Sequence, residues 1–296
     1  MSVPPIRRII AATDFSPGAN AAVERAAQLA HAHGALLELL HAFDSSAWQS
    51  LVSVLDMQWL GGGAAPENAL RQQLDALAAA LAQREGLKVE THFAAGAPAT
   101  VIAARARSMN AAAVVLARSS DPAALGTSGT LLRLLRLLRH APCPVLVVRD
   151  DGAKPYGRVL TAIDLREVSR RAAERALALF PAARHRLLYV VDPQWQHAAQ
   201  HAGAEQAGGL LATLHGQARQ KLDALAAELR GAGAGEIEAA VADARPALGI
   251  VEQAAAWPAD CVVVGRHGQG LVAETLLGST ALDVIHHSGR DVLVVS

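Results

Sequence analysis

The 296-residue chain matches itself when it is shifted by half its length. The segment Leu74-Asp75-Ala76-Leu77-Ala78-Ala79 falls on Leu222-Asp223-Ala224-Leu225-Ala226-Ala227. The same shift lays Pro98 on Pro246, Ile102 on Ile250, and Ala113-Val114-Val115-Leu116 on Cys261-Val262-Val263-Val264. Shifts within two residues of it pair Asp14 with Asp164, and Pro144-Val145-Leu146-Val147-Val148 with Asp291-Val292-Leu293-Val294-Val295. Duplication is the economical explanation. The period is far longer than the roughly 20 to 50 residues of a solenoid unit, so each copy is expected to fold around its own core. The polar, Gly- and Pro-containing stretch Asp150–Pro155 reads as the linker, which divides the chain into domains 1–151 and 152–296.

Within each copy, short apolar runs alternate with longer segments of helical period, the pattern of parallel strands joined by crossover helices. In the first copy, strands are expected near Arg8–Thr13, Leu36–Ala42, Lys88–Ala94, Ala113–Ala117 and Val145–Arg149. Helices are expected near Pro17–His33, Pro66–Arg84, Pro98–Ser108 and Thr130–Arg139. The second copy repeats the strands near Arg158–Ile163, Arg186–Val191, Glu236–Val241, Cys261–Gly265 and Asp291–Val295. The fold class is therefore α/β: two tandem Rossmann-like domains, each a five-stranded parallel sheet flanked by helices. Pro17, Pro66, Pro98 and Pro246 sit at expected helix starts, where a missing N–H costs nothing. Asp44–Ala65 and Asp192–Gly209 are expected to be long irregular connections.

Composition removes several classes of function. The 27 basic and 27 acidic residues cancel, so the basic excess needed to bind a phosphate backbone is missing and nucleic acid is not the expected partner. The apolar runs are too short for a membrane span. The opening Met1-Ser2-Val3-Pro4-Pro5 leads straight into a strand without a leader-like pattern, so a cytoplasmic protein is expected. Cys143 and Cys261 lie in apolar strand-like stretches and fit buried thiols of a reducing compartment.

Ligands of open parallel sheets bind beyond the carboxyl ends of the strands, where the winding reverses. After the fourth strand of copy two comes Gly265-Arg266-His267-Gly268-Gln269-Gly270, followed by Gly278-Ser279-Thr280 at a helix start. Glycines let backbone approach an anion, and the free N–H groups of a helix start favour negative charge. Read from the residues alone, ordinary turns explain these glycines about as well. The segment has no Walker lysine, and no GxGxxG follows the first strand.

The spacing Gly265-x2-Gly268-x9-Gly278-Ser279-Thr280 resembles the nucleotide-binding signature of the universal stress protein family. Copy one opens with Ile9-Ile10-Ala11-Ala12-Thr13-Asp14-Phe15-Ser16 and closes with His140-Ala141-Pro142-Cys143-Pro144-Val145-Leu146-Val147-Val148, both similar to that family. The resemblance spans nearly the whole chain. It implies a tandem member of adenine nucleotide alpha hydrolase-like fold that binds ATP, with magnesium between the phosphates, and serves stress response or signalling without turnover. It implies that Ile163 and Asp164 meet adenine and ribose and that Val190 lies against adenine. Gly265, Arg266 and Gly268 then line the passage to the α-phosphate, and Gly278, Ser279 and Thr280 hold the outer phosphates. It also implies that the last strands of the two copies, Val145–Val148 and Val292–Val295, pair as an intramolecular pseudo-dimer, with further homodimerisation open.

Copy one departs from the signature. Ala117-Arg118-Ser119-Ser120-Asp121-Pro122 lacks both early glycines, and Gly129-Thr130 imitates the later Gly-Ser only after a change of register. Thr13 and Asp14 then mark a degenerate second site. Copy two in turn replaces Phe15-Ser16 by Leu165-Arg166, exchanging a capping hydroxyl for a cation. Two other classes of function stay open: a nucleotide-free scaffold acting through protein partners, and a weak ATPase using His267. His197, His201 and Glu205 would share one face if Gln196–Ala207 were helical and could then hold zinc, although a solvated polar face explains them more simply. The stripe Arg133, Arg136 and Arg139 over leucines reads as a solvent-facing edge above core leucines. Trp48 and Trp59 could line a pocket or a partner surface.

Overall fold

Each half of the chain builds a five-stranded, all-parallel sheet. The computed structural model describes residues 5–44, 67–118, 128–149, 154–193, 204–231, 235–266 and 278–296. These form two compact units, Ile6–Ala153 and Lys154–Ser296, called here domain 1 and domain 2.

Domain 1 runs β1 (Arg8–Ala12), α1 (Pro17–His33), β2 (Leu36–Phe43), α2 (Glu67–Glu85), β3 (Val89–Ala95), α3 (Pro98–Ser108), β4 (Ala113–Ala117), α4 (Ser128–His140) and β5 (Val145–Val148). Its strand order is β3-β2-β1-β4-β5. Domain 2 runs β6 (Arg158–Ala162), α5 (Glu167–Leu179), β7 (Arg184–Val191), α6 (Ala204–Gly231), β8 (Ile237–Asp243), α7 (Pro246–Ala256), β9 (Cys261–Gly265), α8 (Ser279–His287) and β10 (Asp291–Val295). Its order, β10-β9-β6-β7-β8, repeats that of domain 1. Within each domain the paired strands are parallel, as in β1 with β2 and β6 with β9. The strands read as near-continuous apolar runs because both faces are covered by helices. Ile9, Ile10, Leu160, Val262 and Val263 are all fully buried.

The elements fall within a few residues of the expected spans. One connection differs. The stretch Asp192–Gly209 reads as irregular, yet residues 204–209 form the first turns of α6. The glycines Gly208 and Gly209 masked this from propensity, and the continuation of one long helix through Gly231 overrides their local cost. Pro17, Pro98 and Pro246 occupy the first helical turn, as expected. Both cysteines are buried and neither is in a disulfide. On α4, Leu137 and Leu138 are buried while Arg136 and Arg139 face solvent. No helix among the described residues is long and apolar enough to cross a membrane.

The two copies place opposite charges at one matching strand position. In domain 1, Glu38 of β2 is 1% exposed. Arg105 of α3 grips it in a bidentate pair, with Nη2 to Oε2 at 2.5 Å and Nε to Oε1 at 2.9 Å. In domain 2 the matching β7 residue is Arg186, level with Glu238 on β8. It pairs with that carboxylate at 3.1 Å and lies over the Trp257 ring, 4.4 Å from its centroid. The charge at this position is paired in both copies, by a helix arginine in domain 1 and by a neighbouring-strand carboxylate in domain 2.

Candidate functional site

The winding of domain 2 reverses between β6 and β9. From β6 the chain moves outward through β7 and β8, then returns to add β9 and β10 on the other side. The register Thr161 with Val263 and Ala162 with Leu188 sets the ends of these strands side by side. Two residues further along, Asp164 stands level with Val190 and Ile163 stands level with Gly265. The C-terminal ends of β6, β7 and β9 thus gather these expected site residues at the reversal, where open sheets bind ligands.

A tight turn fixes Asp164. Its Oδ1 accepts the N–H of Arg166 at 3.1 Å, an Asx turn that closes around Leu165 at φ 63°. Domain 1 has the same turn: Asp14 Oδ1 accepts the Ser16 N–H at 3.0 Å around Phe15, also at φ 63°. A bulky residue in the left-handed region costs about 1–2 kcal/mol, and both copies keep it. Asp164 Oδ2 makes no hydrogen bond among the described residues, leaving an acceptor for a ligand hydroxyl.

The helix that follows is capped differently in the two copies. In domain 1, Ser16 Oγ accepts the Ala19 N–H at 3.2 Å. In domain 2, Arg166 holds the cap position without a side-chain cap bond. The hydroxyl has moved to buried Ser169, whose Oγ accepts the Asp164 N–H at 3.2 Å and donates to the Arg166 carbonyl at 2.9 Å. Ser169 ties Asp164 to α5, a role that sequence spacing did not suggest.

Ile163 and Val190 face opposite sides of the sheet. The Ile163 side chain is 4% exposed and packs with Leu187, Leu222 and Ala226 beneath α6, so at the strand mouth it offers backbone. Val190 points toward α7, where a Cβ on Gly249 would come 2.9 Å from Val190 Cγ1 and 2.8 Å from Ala244 Cβ. Gly249 is therefore required for α7 to approach β7 this closely. No motif in the sequence marks it.

The two ends of the glycine-rich segment meet. Arg266 N–H donates to the Val295 carbonyl at 2.6 Å, and the Arg266 carbonyl accepts the Gly278 N–H at 2.8 Å. Gly278 caps α8 at φ −62°, ψ 143° without a side-chain cap bond, and the first turn of α8 carries no acidic residue. The opening N–H groups of α8, with the hydroxyls of Ser279 and Thr280, form a donor set suited to an anion. Burial pushes the Arg266 guanidinium below the ordinary arginine value, though arginine remains a cation. His267 and Gly268 lie outside the described residues, as do Trp48, Trp59, His197 and His201. Glu205 falls in the first turn of α6.

Domain 1 shares the strand-end geometry but not the glycines. Arg118 N–H donates to the Val148 carbonyl at 2.7 Å, as Arg266 does to Val295. Ala117 stands where domain 2 has Gly265, and Gly129 lies inside the first turn of α4 rather than ahead of the helix. Thr13 is 6% exposed. Its Oγ1 accepts the Phe15 N–H at 3.0 Å, and its carbonyl lies 2.8 Å from His41 Nδ1. His41 stacks on Phe15 with centroids 4.8 Å apart and tilts against Phe93 at 5.5 Å.

The model of the universal stress protein family matches residues 5–149 and again residues 155–296. The chain belongs to the universal stress protein family. Universal stress protein Sll1388 of Synechocystis sp. is 30% identical over 151 residues, 47% of this chain and 97% of that protein. The fold also matches solved tandem-length structures. A universal stress protein from Archaeoglobus fulgidus DSM 4304 superposes with a TM-score of 0.67 at 17% identity, covering 98% of this chain and 96% of its own. A functionally unknown protein from Pseudomonas aeruginosa PAO1 does so with a TM-score of 0.63 at 20% identity, covering 98% and 92%.

Proposed function

We propose that this universal stress protein binds an adenine nucleotide, ATP above all, at the strand mouth of domain 2, and that domain 1 is silent toward ATP. The observation that carries this reading is the hydrogen bond from Gly278 to Arg266. It fastens an uncapped helix start to the carboxyl end of β9, a placement that favours phosphate. Asp164 Oδ2 then accepts from a ribose hydroxyl, the Ile163 backbone and Val190 flank the base, and Gly265 and Gly268 admit the α-phosphate. Ser279 and Thr280 donate to the outer phosphates. Magnesium arrives on the nucleotide, held by phosphate oxygens.

The output is a change of conformation or partner rather than turnover, in a soluble stress-response role. The rival reading is a scaffold that binds no nucleotide and works through protein partners. It is favoured by domain 1, where Ala117 removes the close approach that Gly265 allows. Calorimetric titration of nucleotide-stripped protein with ATP and magnesium separates the two. One site per chain supports the proposal. Two sites overturn the silence of domain 1, and no binding overturns the proposal in favour of the scaffold.

A further inference from the structure

A groove of ≈370 Å³ opens in domain 2 between the first turn of α5 and the second half of α6. Ile163, Leu165 and Leu225 give it an apolar part, and its charged lining is Arg166, Arg170 and Lys221 with the carboxylates Glu167 and Glu228. It lies on the α5/α6 side of the sheet, whereas Val190 faces α7 on the other side. Neither Arg266 nor Gly278 lines it.

We propose that this groove is a second binding site, separate from the nucleotide mouth, for a small organic anion with an apolar body, such as a medium-chain carboxylate. The volume is within the roughly 300–1,000 Å³ of small-molecule sites. Arg166 and Lys221 make no ion pair among the described residues, so both cations are available to a ligand. Arg170, one helical turn after Arg166, is by contrast held by Glu174 at 3.3 Å and by Glu228 across the groove. That pair braces α5 against α6, and of the remaining lining charges the two cations Arg166 and Lys221 outnumber the one carboxylate, Glu167. A monoanion with an aliphatic or aromatic body satisfies both surfaces at once, burying carbon against Leu165 and Leu225 while its charged head stays between the cations.

The residues that line the groove differ between the two domains. At the matching positions, domain 1 carries Ser16, Asn20 and Gln73 in place of Arg166, Arg170 and Lys221. The residues matching Leu165 and Val241 are Phe15 and Phe93, which pack about His41, with the Arg71 guanidinium 4.6 Å over the Phe93 ring. The duplicated scaffold thus fills this position with rings in one copy. In the other it lines the position with smaller side chains and added cations.

The test uses the full chain and the dye 8-anilinonaphthalene-1-sulfonate, an amphipathic anion of suitable size. Saturable binding at one site per chain is expected. Arg166→Ser with Lys221→Gln, which install the domain 1 residues, should weaken it at least tenfold, and Leu225→Trp, which fills the floor, should abolish it. Octanoate should displace the dye while octan-1-ol does not. Saturating ATP with magnesium should leave the dye affinity unchanged whether or not ATP itself binds. Three results overturn the proposal: no saturable dye binding, an unchanged affinity in the Arg166→Ser/Lys221→Gln variant, or competition by ATP. Thermal melts of each variant matching the unsubstituted protein exclude loss of fold as the cause.

Discussion

The N–H of Gly278 donates to the carbonyl of Arg266 at 2.8 Å, so the start of α8 is fastened to the end of β9. Two short pieces of sequence that look like ordinary turns when read apart are brought together at the carboxyl end of β9.

Gly278 tests that junction cleanly. Its φ of −62° and ψ of 143° are open to any L-residue, so Gly278→Leu adds a side chain at the helix start without backbone strain. The expected cost in stability is about 1 kcal/mol or less. Calorimetry should show ATP binding lost; unchanged affinity in a folded variant would refute the assignment of this helix start to phosphate.

Gly249→Ala probes the fit of α7 on β7. The new Cβ meets Val190 Cγ1 at 2.9 Å and Ala244 Cβ at 2.8 Å, contacts that force the helix outward. Overpacking of this kind costs about 1–3 kcal/mol. Urea unfolding should show the loss, and ATP affinity should fall with it because Val190 is displaced. The reverse substitution, Ala244→Gly, should restore part of the stability when combined with Gly249→Ala.

The Glu38–Arg105 pair predicts an asymmetry between breaking and replacing. Arg105→Ala leaves a carboxylate that is 1% exposed without its cation, at a cost of about 3–5 kcal/mol. Replacing both residues by leucine removes the charges together and should recover most of that loss. Chemical denaturation of the single and double variants gives the comparison, and equal destabilisation by both would refute it.

His185 makes domain 2 sensitive to acid. The ring is 1% exposed, Nε2 lies 2.9 Å from the Phe180 carbonyl, and Nδ1 is buried without a hydrogen-bond partner among the described residues. Burial pushes its pKa below the ordinary histidine value of 6.5. The folded state therefore holds the ring neutral while the unfolded chain takes up a proton near pH 6.5. The stabilisation is fully present above that pH and declines as pH falls below it toward the lowered folded value. His185→Leu installs the residue that domain 1 carries at the matching position, Leu37. Urea midpoints at pH 7.5 and 5.5 should differ less in the variant than in the unsubstituted protein.

The sequence alone determined the duplication, the parallel α/β class and nearly all the element boundaries, because those follow from local signals. Apolar runs such as Val262-Val263-Val264 need cover on both faces, and Pro17, Pro98 and Pro246 mark helix starts through their missing N–H. It also singled out Asp164 and the Gly278-Ser279-Thr280 segment as candidates, through their resemblance to a family signature. Only the tertiary structure decided which of these meet. The register of β6 against β7 and β9 brings Asp164 beside Val190 and turns the Ile163 side chain into the core beneath α6, a choice of face that period-two alternation leaves open until strand neighbours are fixed. Gly249, Ser169 and the groove between α5 and α6 were not legible for the same reason. Each depends on the distance between elements far apart in the chain, and that distance is set by packing rather than by any local pattern.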